Sequence, residues 1–309
     1  MIIPTPLKLG DTIAVLSLAS PPNKEKVERG IRYLINRGYK VVQAPNIYTK
    51  NKYLAFTKEE QVKDLEWAFR NPEIKAIIST RGGYGTHRYL DLIDYQLIKS
   101  NPKWLIGYSD ITALSLALME KSNLVSISGP MVAVEMAAEE GISNVTENHF
   151  WPLVENNLIG QHLSVNVDGN AKTFQSGSAE GILIGGCLSL FNNLAGTPYF
   201  PSLKNSIVVL EDVGENVQHV DRMLSQFKLM GMFDAENGIN GLILGHFIDA
   251  WEHADLNDFT LNELLHDIVG DYKIPIITNA SYGHQKIKSS LPLGAKIRLN
   301  THDFGLEII

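Results

Sequence analysis

Cysteine is almost absent from this chain of 309 residues, in which Cys187 is the sole example. An intramolecular disulfide and a cysteine-rich metal site are therefore excluded. Positive charge is not in excess either, because the formal net charge is −7 and leaves no electrostatic footprint for nucleic acid. Runs of five like charges, internal repeats and low-complexity tracts are also missing, so we expect folded domains without a charged tail.

Long apolar runs are lacking as well. The first apolar stretch, "TIAVLSLA", is too short to span a bilayer, and the residues before it lack the basic region of a secretory signal. The stretch is typical of a buried strand. We therefore expect a cytoplasmic protein that does not contact membranes.

Hydrophobic residues make up 44% of the chain, enough for a large core, and the length favours two domains. In the first part, apolar runs alternate with helical patterns, which predicts an α/β fold with a mostly parallel, doubly wound sheet. The strands are predicted at 12–20, 39–45, 73–80, 103–109 and 123–129. One helix is predicted over 24–38, and a second begins at Thr57, with Glu60 in capping-box spacing, and ends before Pro72.

The pattern weakens after the first part and then resumes. Residues 144–157 fit a helix, residues 167–181 are small and polar as in a turn-rich segment, and we expect a linker region over 141–180. It would join an N-terminal domain of residues 1–140 to a smaller C-terminal α/β domain of residues 181–309. Within the C-terminal domain, strands are predicted at 206–215, 241–250 and 274–284, helices at 216–233 and 259–272, and a β-ribbon at 294–308.

Three polar segments follow predicted strands: "STRGGYGTHR", "GYSD" and "SISGPM". In sheets of this type, ligands bind beyond the carboxyl ends of the strands. Within "GYSD", Ser109 occupies a strand-to-helix turn that would present a nucleophile, and the amide of Asp110 would stabilise an oxyanion. The second glycine of the common nucleophile elbow is missing, and a serine or aspartate before a helix is commonly an N-cap. Both interpretations stay open on this stretch alone.

The glycines of "RGGYG" would let the backbone approach a ligand and bind an anion through its amides. The segment is neither a phosphate loop, since no GK[ST] follows, nor a G-x-G-x-x-G motif. A flexible turn is the plain alternative, and a nucleotide-binding protein that uses this cluster is a further one.

A serine nucleophile needs a base and an acid that orients it. His246 and His284 follow strand-like apolar runs, whereas the other seven histidines lie in helical or turn-like surroundings. Glu211 and Asp212 end the strongly apolar run "SIVVLED", where a carboxylate would orient a base or merely cap a helix.

A metal site is a weaker interpretation of the same region. His246, Asp249, Glu252 and His253 are close together in sequence, but their spacing matches no standard zinc pattern. We therefore expect no metal and no other cofactor.

Several separated segments resemble the LD-carboxypeptidase family of serine peptidases, which includes the microcin C self-immunity peptidases. They run in the family's order from about residue 10 to residue 299 and are "RGGYGTHRYLDLIDY", "NPKWLIGYSDITALSLAL", "SGPM", "LSLFNNLAGTPY", "VVLEDVGENVQHVDRML", "GLILGHF", "YGH" and "LPLGAKIRL". The resemblance implies that Ser109 is the nucleophile, Glu211 the triad acid and His284 the base. It also implies an active site in the cleft between the two domains.

The resemblance further implies an oxyanion hole formed by the backbone N–H groups of Gly83 and Asp110. A carboxypeptidase must recognise a free carboxylate, for which Arg81 is the candidate cation, and we expect Gly82 and Ser128 to contact the substrate as well. The implied reaction releases terminal D-alanine from murein tetrapeptides during cell-wall recycling, and the implied assembly is a homodimer.

Two positions depart from the family pattern. Ser128 stands where the family often has histidine, and Cys187 stands where it often has asparagine. Neither is a triad position, so substrate choice rather than catalysis is affected. The alternatives are an amidase of the microcin-immunity type that cleaves aminoacyl or peptidyl nucleotides, and a non-catalytic ligand-binding module on the same fold.

Overall fold

The computed structural model describes residues 1–251, 254–255 and 258–309. The chain divides into two compact units, each assembled from separate stretches. The first unit consists of Met1–Ile159, Pro198–Phe200 and Ser290–Gly294. The second consists of Gly160–Thr197, Pro201–Ser289 and Ala295–Ile309.

Strands and helices alternate through most of the described residues. The strands are β1 (Thr12–Leu16), β2 (Lys40–Gln43), β3 (Ile74–Ser79), β4 (Trp104–Ile106), β5 (Ser126–Ser128), β6 (His162–Ser164), β7 (Lys172–Gln175), β8 (Ser178–Cys187), β9 (Ser206–Val213), β10 (Gly241–Ile248), β11 (Ile276–Thr278), β12 (Leu291–Leu293), β13 (Lys296–Asn300) and β14 (Gly305–Ile308). The α-helices are α1 (Lys24–Asn36), α2 (Lys58–Arg70), α3 (Tyr95–Ser100), α4 (Ile111–Ser122), α5 (Asn144–Glu155), α6 (Leu188–Leu194), α7 (Val217–Leu229) and α8 (Leu261–Val269).

The first unit contains a six-stranded sheet in the order β12-β5-β4-β3-β1-β2. Its strands pair in parallel except for β12, which runs antiparallel to β5. Right-handed crossovers place α1 on one face and α2 to α4 on the other. The direction of winding reverses between β1 and β3, and ligands bind at such a switch point in doubly wound sheets.

Local signals explain where the first helices begin. The side chain of Asn23 accepts a hydrogen bond from the amide of Lys26 and so caps α1. Thr57 and Glu60 form the expected capping box at the start of α2, with both reciprocal bonds present. Nearly all residues of helix α4 are buried, so the helix has almost no polar face. The turn that contains Ser109 immediately precedes this helix.

The second unit contains an eight-stranded sheet in the order β6-β14-β13-β8-β9-β10-β11-β7. Strands β8 to β11 are parallel and form its centre, and the remaining pairs are antiparallel. The C-terminal β-ribbon is β13 paired with β14. The α/β class expected from the sequence is confirmed, with a doubly wound sheet in the first unit.

Residues 141–180, expected as a linker region, carry regular structure: the helix expected over 144–157 is present as α5, and two strands that were not expected follow it. Helix α5 belongs to the first unit, where Glu155 accepts hydrogen bonds from Arg37 and Tyr39. Strands β6 and β7 form the two edges of the second sheet. These edge strands are short and partly exposed, so backbone pairing rather than an apolar pattern holds them in place. Such strands carry no hydrophobic periodicity by which the sequence would indicate them.

Across the described ranges, none of the helices has the length and apolar character needed to cross a membrane.

Gly30 tests the packing of α1. Alanine is the better helix former by about 1 kcal/mol, but a Cβ at this position would lie 2.7 Å from Val132 Cγ1 and closer still to the Val132 carbonyl. We therefore expect Gly30→Ala to lower the free energy of unfolding by about 1–3 kcal/mol, as overpacked sites do. Urea unfolding measures the change. The control is Arg32→Ala, at an exposed position of the same helix. A stabilised Gly30→Ala variant would contradict this packing.

Candidate active site

Three chain segments meet at the carboxyl end of the first sheet, because β3, β4 and β5 are adjacent there. They are the glycine turn after β3 (residues 81–85), the turn after β4 that contains Ser109, and the "SGPM" segment after β5. The amides of Val132 and Ala133 donate to the carbonyl groups of Ser79 and Thr80, which ties the third segment to the first. The expected convergence of these motifs is therefore present within this unit.

Ser109 has a strained backbone. Its φ is +63°, in the left-handed region that residues other than glycine, asparagine and aspartate seldom adopt. The N-cap position of α4 belongs instead to Asp110, whose side chain makes no capping hydrogen bond. Ser109 is half-buried, whereas its neighbours Tyr108 and Asp110 are buried. A strained, partly accessible serine at the start of a helix has the geometry of a nucleophile elbow rather than that of a cap.

The Asp110 carboxylate holds the glycine turn against the Ser109 turn. Its Oδ2 accepts a hydrogen bond of 2.9 Å from the Thr86 amide, and the Thr86 hydroxyl donates to the Asp110 carbonyl at 2.6 Å. Burial raises the pKa of this carboxyl, and the bonds from Thr86 act against that rise. The Asp110 amide lies at the N-terminus of α4, where backbone N–H groups lack intrahelical acceptors.

The backbone of the glycine turn lies so close to Ser109 that no side chain fits at Gly82 without a shift. A Cβ at Gly82 would lie 2.7 Å from Ser109 Cβ and 3.3 Å from the Asp110 amide nitrogen. Gly83 has a φ of +118° and packs against the side chain of Ser20, which follows β1. Arg81 is exposed, and its Nε donates to the Gly82 carbonyl at 3.2 Å. Positions 82 and 83 therefore require glycine for steric reasons, in addition to any contact with a ligand.

A carboxylate that the sequence analysis did not single out supports the Ser109 turn from the other side. Glu135 accepts hydrogen bonds from the Tyr108 hydroxyl at 2.8 Å and from the Met131 amide at 3.0 Å. The bonds connect the residue before Ser109 to the "SGPM" segment. Ser128 is buried at the end of β5, opposite Leu291 in β12. No local pattern identifies the role of Glu135, because Tyr108 lies on a different turn, 27 residues earlier in the chain.

In the second unit, Glu211 and His284 form a hydrogen-bonded pair. His284 Nδ1 lies 2.7 Å from Glu211 Oε2, and the two side chains are 17% and 2% exposed. Burial raises the pKa of Glu211, and the hydrogen bond from His284 opposes that rise without cancelling it, so the net pKa is raised. Gly245 and Gly283 make the pair possible, since a Cβ at Gly283 would lie 2.6 Å from Glu211 Oε2. The carboxylate accepts from Nδ1 and so directs Nε2 of the ring away from itself.

Cys187 is the last residue of β8, and it pairs in register with Glu211 on β9. Its thiol donates to the Asp212 carboxylate at 3.1 Å. Burial raises the pKa of the thiol far above its ordinary value, and the charges of Glu211 and Asp212 add to the rise. This cysteine is therefore a poor nucleophile.

His246, the second candidate base, is placed beside a different carboxylate, Asp168. It lies on β10 with Nε2 3.3 Å from Asp168 Oδ2. Of the alternative metal site, Glu252 and His253 lie outside the described residues. Among the residues that the structure describes, no three histidine, cysteine or acidic side chains are grouped to hold a metal ion.

Comparison with known proteins follows the same division of the chain. Residues 13–129 match the LD-carboxypeptidase N-terminal domain, and residues 180–299 match the LD-carboxypeptidase C-terminal domain. The chain is also 31% identical over 301 residues to a probable murein peptide carboxypeptidase of Bacillus subtilis (strain 168), covering 96% of this chain and 91% of that protein. This chain belongs to the LD-carboxypeptidase family. It is accordingly a serine-type hydrolase, as its resemblance to the family predicted.

Solved structures of LD-carboxypeptidase relatives share the fold. A muramoyltetrapeptide carboxypeptidase from Oxalobacter formigenes matches with a TM-score of 0.82 and 28% identity, over 96% of this chain and 97% of that one. The microcin C7 self-immunity protein MccF, in complex with aspartyl sulfamoyl adenosine, matches with a TM-score of 0.89 and 25% identity, over 100% and 98%.

Gly82→Ala tests the contact between the glycine turn and Ser109. The new Cβ must displace the Ser109 side chain or the turn, and misplacement by about 1 Å costs about 100-fold in rate. We expect kcat of the carboxypeptidase to fall by about that factor while the fold, followed by circular dichroism, is retained. Tyr84→Phe, in the same turn, is the control. Full activity of Gly82→Ala would show that the turn does not constrain Ser109.

Glu211→Gln tests the cost of the buried carboxylate. Because the pKa of Glu211 is raised in the folded state, its ionisation opposes folding. That penalty is absent below the unfolded pKa of about 4.3 and is complete above the raised folded pKa. We expect the variant to resist urea more than the wild type at pH 7.5, with the difference vanishing towards pH 4. A variant that is less stable than the wild type at both pH values would contradict this assignment.

Proposed function

We propose that the protein hydrolyses the amide bond between the L-centre of a diamino acid and the terminal D-alanine of murein tetrapeptides, with Ser109, His284 and Glu211 as its triad. The hydrogen bond between His284 and the buried Glu211 carries the proposal, because it leaves a base oriented in the way a serine nucleophile needs. The strained conformation of Ser109 supports the same roles.

The chemistry is acyl transfer in two half-reactions. His284 takes the hydroxyl proton of Ser109 as the oxygen attacks the scissile carbonyl, and then gives that proton to the departing D-alanine amine. Water, deprotonated by His284, then releases the shortened peptide from the acyl-enzyme. Glu211 keeps the ring of His284 in one tautomer and stabilises its charged form.

Backbone amides would carry the negative charge of the tetrahedral intermediate. The N–H groups of Asp110 and Gly83 are the proposed donors, and the N-terminal dipole of α4 favours the same charge. The bonds between Asp110 and Thr86 support this proposal, since they hold the two turns in a fixed relation. A preorganised donor of this kind is worth about 100- to 1000-fold in kcat.

Substrate recognition requires a group for the free terminal carboxylate. Arg81 is the proposed cation, and Gly82 and Ser128 are proposed to contact the peptide. The exposure of Arg81 beside the glycine turn supports its role. The serine at position 128 and the buried Cys187, in place of residues common in the family, would affect which peptide is preferred.

We also propose a cytoplasmic location, where wall fragments are recycled, and assembly as a homodimer. The location derives from the short apolar stretches of the sequence, and the homodimer derives from the family resemblance. Light scattering coupled to gel filtration tests the second: a dimer mass supports it, and a monomer mass at micromolar concentration contradicts it.

A two-substrate assay tests the function. We expect the wild type to release D-alanine from murein tetrapeptide, and Ser109→Ala, His284→Ala and Glu211→Gln to lose at least about 1000-fold in kcat. Arg32→Ala, at an exposed position of α1 that has no part in the proposed site, is the control and should keep the reaction. Failure of the wild type to release D-alanine would overturn the murein assignment.

The second substrate is an aminoacyl sulfamoyl adenosine, because MccF, the relative noted above, was solved with such a compound. Cleavage of this substrate with no release of D-alanine would assign the protein to the microcin-immunity type of amidase instead. Binding of either compound without turnover would favour a non-catalytic module.

A further inference from the structure

The segment that carries His284 needs support beyond the bond to Glu211. Gly283 precedes the histidine with a φ of +121°, and its lack of a side chain is required by the nearby Glu211 carboxylate. Glycine is also the residue that restricts the backbone least. A base attached through such a residue is held in one place only if the preceding residues are fixed by other contacts.

Those contacts converge on Asp168, in the connection between β6 and β7. Its Oδ1 accepts a hydrogen bond of 2.6 Å from the Ser281 hydroxyl, and its own amide donates back to that hydroxyl at 3.1 Å. Ser281 is completely buried and lies three residues before His284. Its backbone amide also donates to the Val165 carbonyl at 2.7 Å, so the same connection holds both its side chain and its main chain.

The second oxygen of Asp168 faces His246. The buried Nε2 of that ring lies 3.3 Å from Oδ2, within ion-pair distance but without the alignment of a hydrogen bond. The backbone amide of His246 donates to the Tyr282 carbonyl at 3.1 Å, one residue after Ser281. Asp168 therefore connects to the base segment directly through Ser281 and indirectly through β10.

The charge of Asp168 suits this position. Burial raises the pKa of its carboxyl, but hydrogen bonds from Ser281 and Asn170 and the proximity of His246 outweigh burial, and the net pKa is lowered. The group is thus an anion at neutral pH, and hydrogen bonds to ionised groups are stronger and shorter than neutral ones.

We infer that Asp168 is a positioning residue for His284, acting through the Ser281 hydroxyl, with His246 as its second contact. The inference rests on the proposed role of His284 as the base. In this role Asp168 acts through Ser281 rather than on the reacting atoms. Its effect is to keep residues 281–284 in the one conformation in which the His284 ring meets Glu211.

Matched serine variants separate positioning from general stability. Ser281→Ala removes the bond to Asp168. Ser289→Ala is the control, because the Ser289 side chain is also buried and donates one bond of 2.6 Å, to the Ser164 carbonyl, without touching Asp168. The bond of 2.7 Å from the Ser289 backbone amide to the Ser281 carbonyl does not involve that side chain and is kept in the variant. We expect Ser281→Ala and Asp168→Ala to lower kcat on murein tetrapeptide by about 10- to 100-fold with little change in KM. Ser289→Ala should keep kcat, and Asp168→Asn, which retains an acceptor for Ser281, should recover most of the loss.

The low-field proton resonance of the bond between His284 Nδ1 and Glu211 gives a readout that needs no substrate. It is assigned by its disappearance in His284→Ala. We expect the resonance to shift or broaden in Ser281→Ala and Asp168→Ala and to remain unchanged in Ser289→Ala. An unchanged resonance in Ser281→Ala and Asp168→Ala would overturn the inference. A wild type that shows the resonance but releases no D-alanine would overturn the proposed function. The inference about Asp168 would then be decided by the resonance in Ser281→Ala and Asp168→Ala alone.

Discussion

The Glu211 carboxylate is 2% exposed and bonded to His284, and much of the second unit is arranged around that bond. An ionised group in such a place is costly to bury unless it has partners. Strand β9 brings it to the centre of the sheet between β8 and β10, and Gly245 and Gly283 leave the space that its side chain needs. His284 supplies the charge-stabilising contact. The same contact fixes the tautomer of the ring, and the proposed role of His284 as a base depends on it.

A second carboxylate organises the Ser109 turn in the first unit. Asp110 is 1% exposed, and its hydrogen bonds with Thr86 join two turns that lie at the ends of different strands. Ser109 keeps a left-handed backbone because these bonds and the contact with Gly82 leave little room for relaxation. In both units, a buried acid therefore acts on a neighbouring residue by fixing its position. Such acids lower stability where they serve activity, a common compromise at catalytic sites.

Sequence patterns were sufficient for much of this account. The capping box of α2, the strand ends and the residues of the proposed triad all carry local signals, namely spacing, apolar runs and family motifs. Contacts between distant turns carry none. Glu135 beneath Tyr108 and Asp168 beneath Ser281 are 27 and 113 residues from their partners, and only the fold brings them together. A linker was predicted where the edge strands β6 and β7 lie, because backbone pairing, rather than apolar alternation, places these strands in the sheet.

The central claim is that Ser109 is a nucleophile activated by the His284 and Glu211 pair. Reaction with a serine-directed fluorophosphonate, followed by mass spectrometry of the digested protein, tests it most directly. We expect an adduct on Ser109 that forms much more slowly in His284→Ala and is absent from Ser109→Ala. Equal labelling of the wild type and Ser109→Ala, or an adduct on another residue, would contradict it.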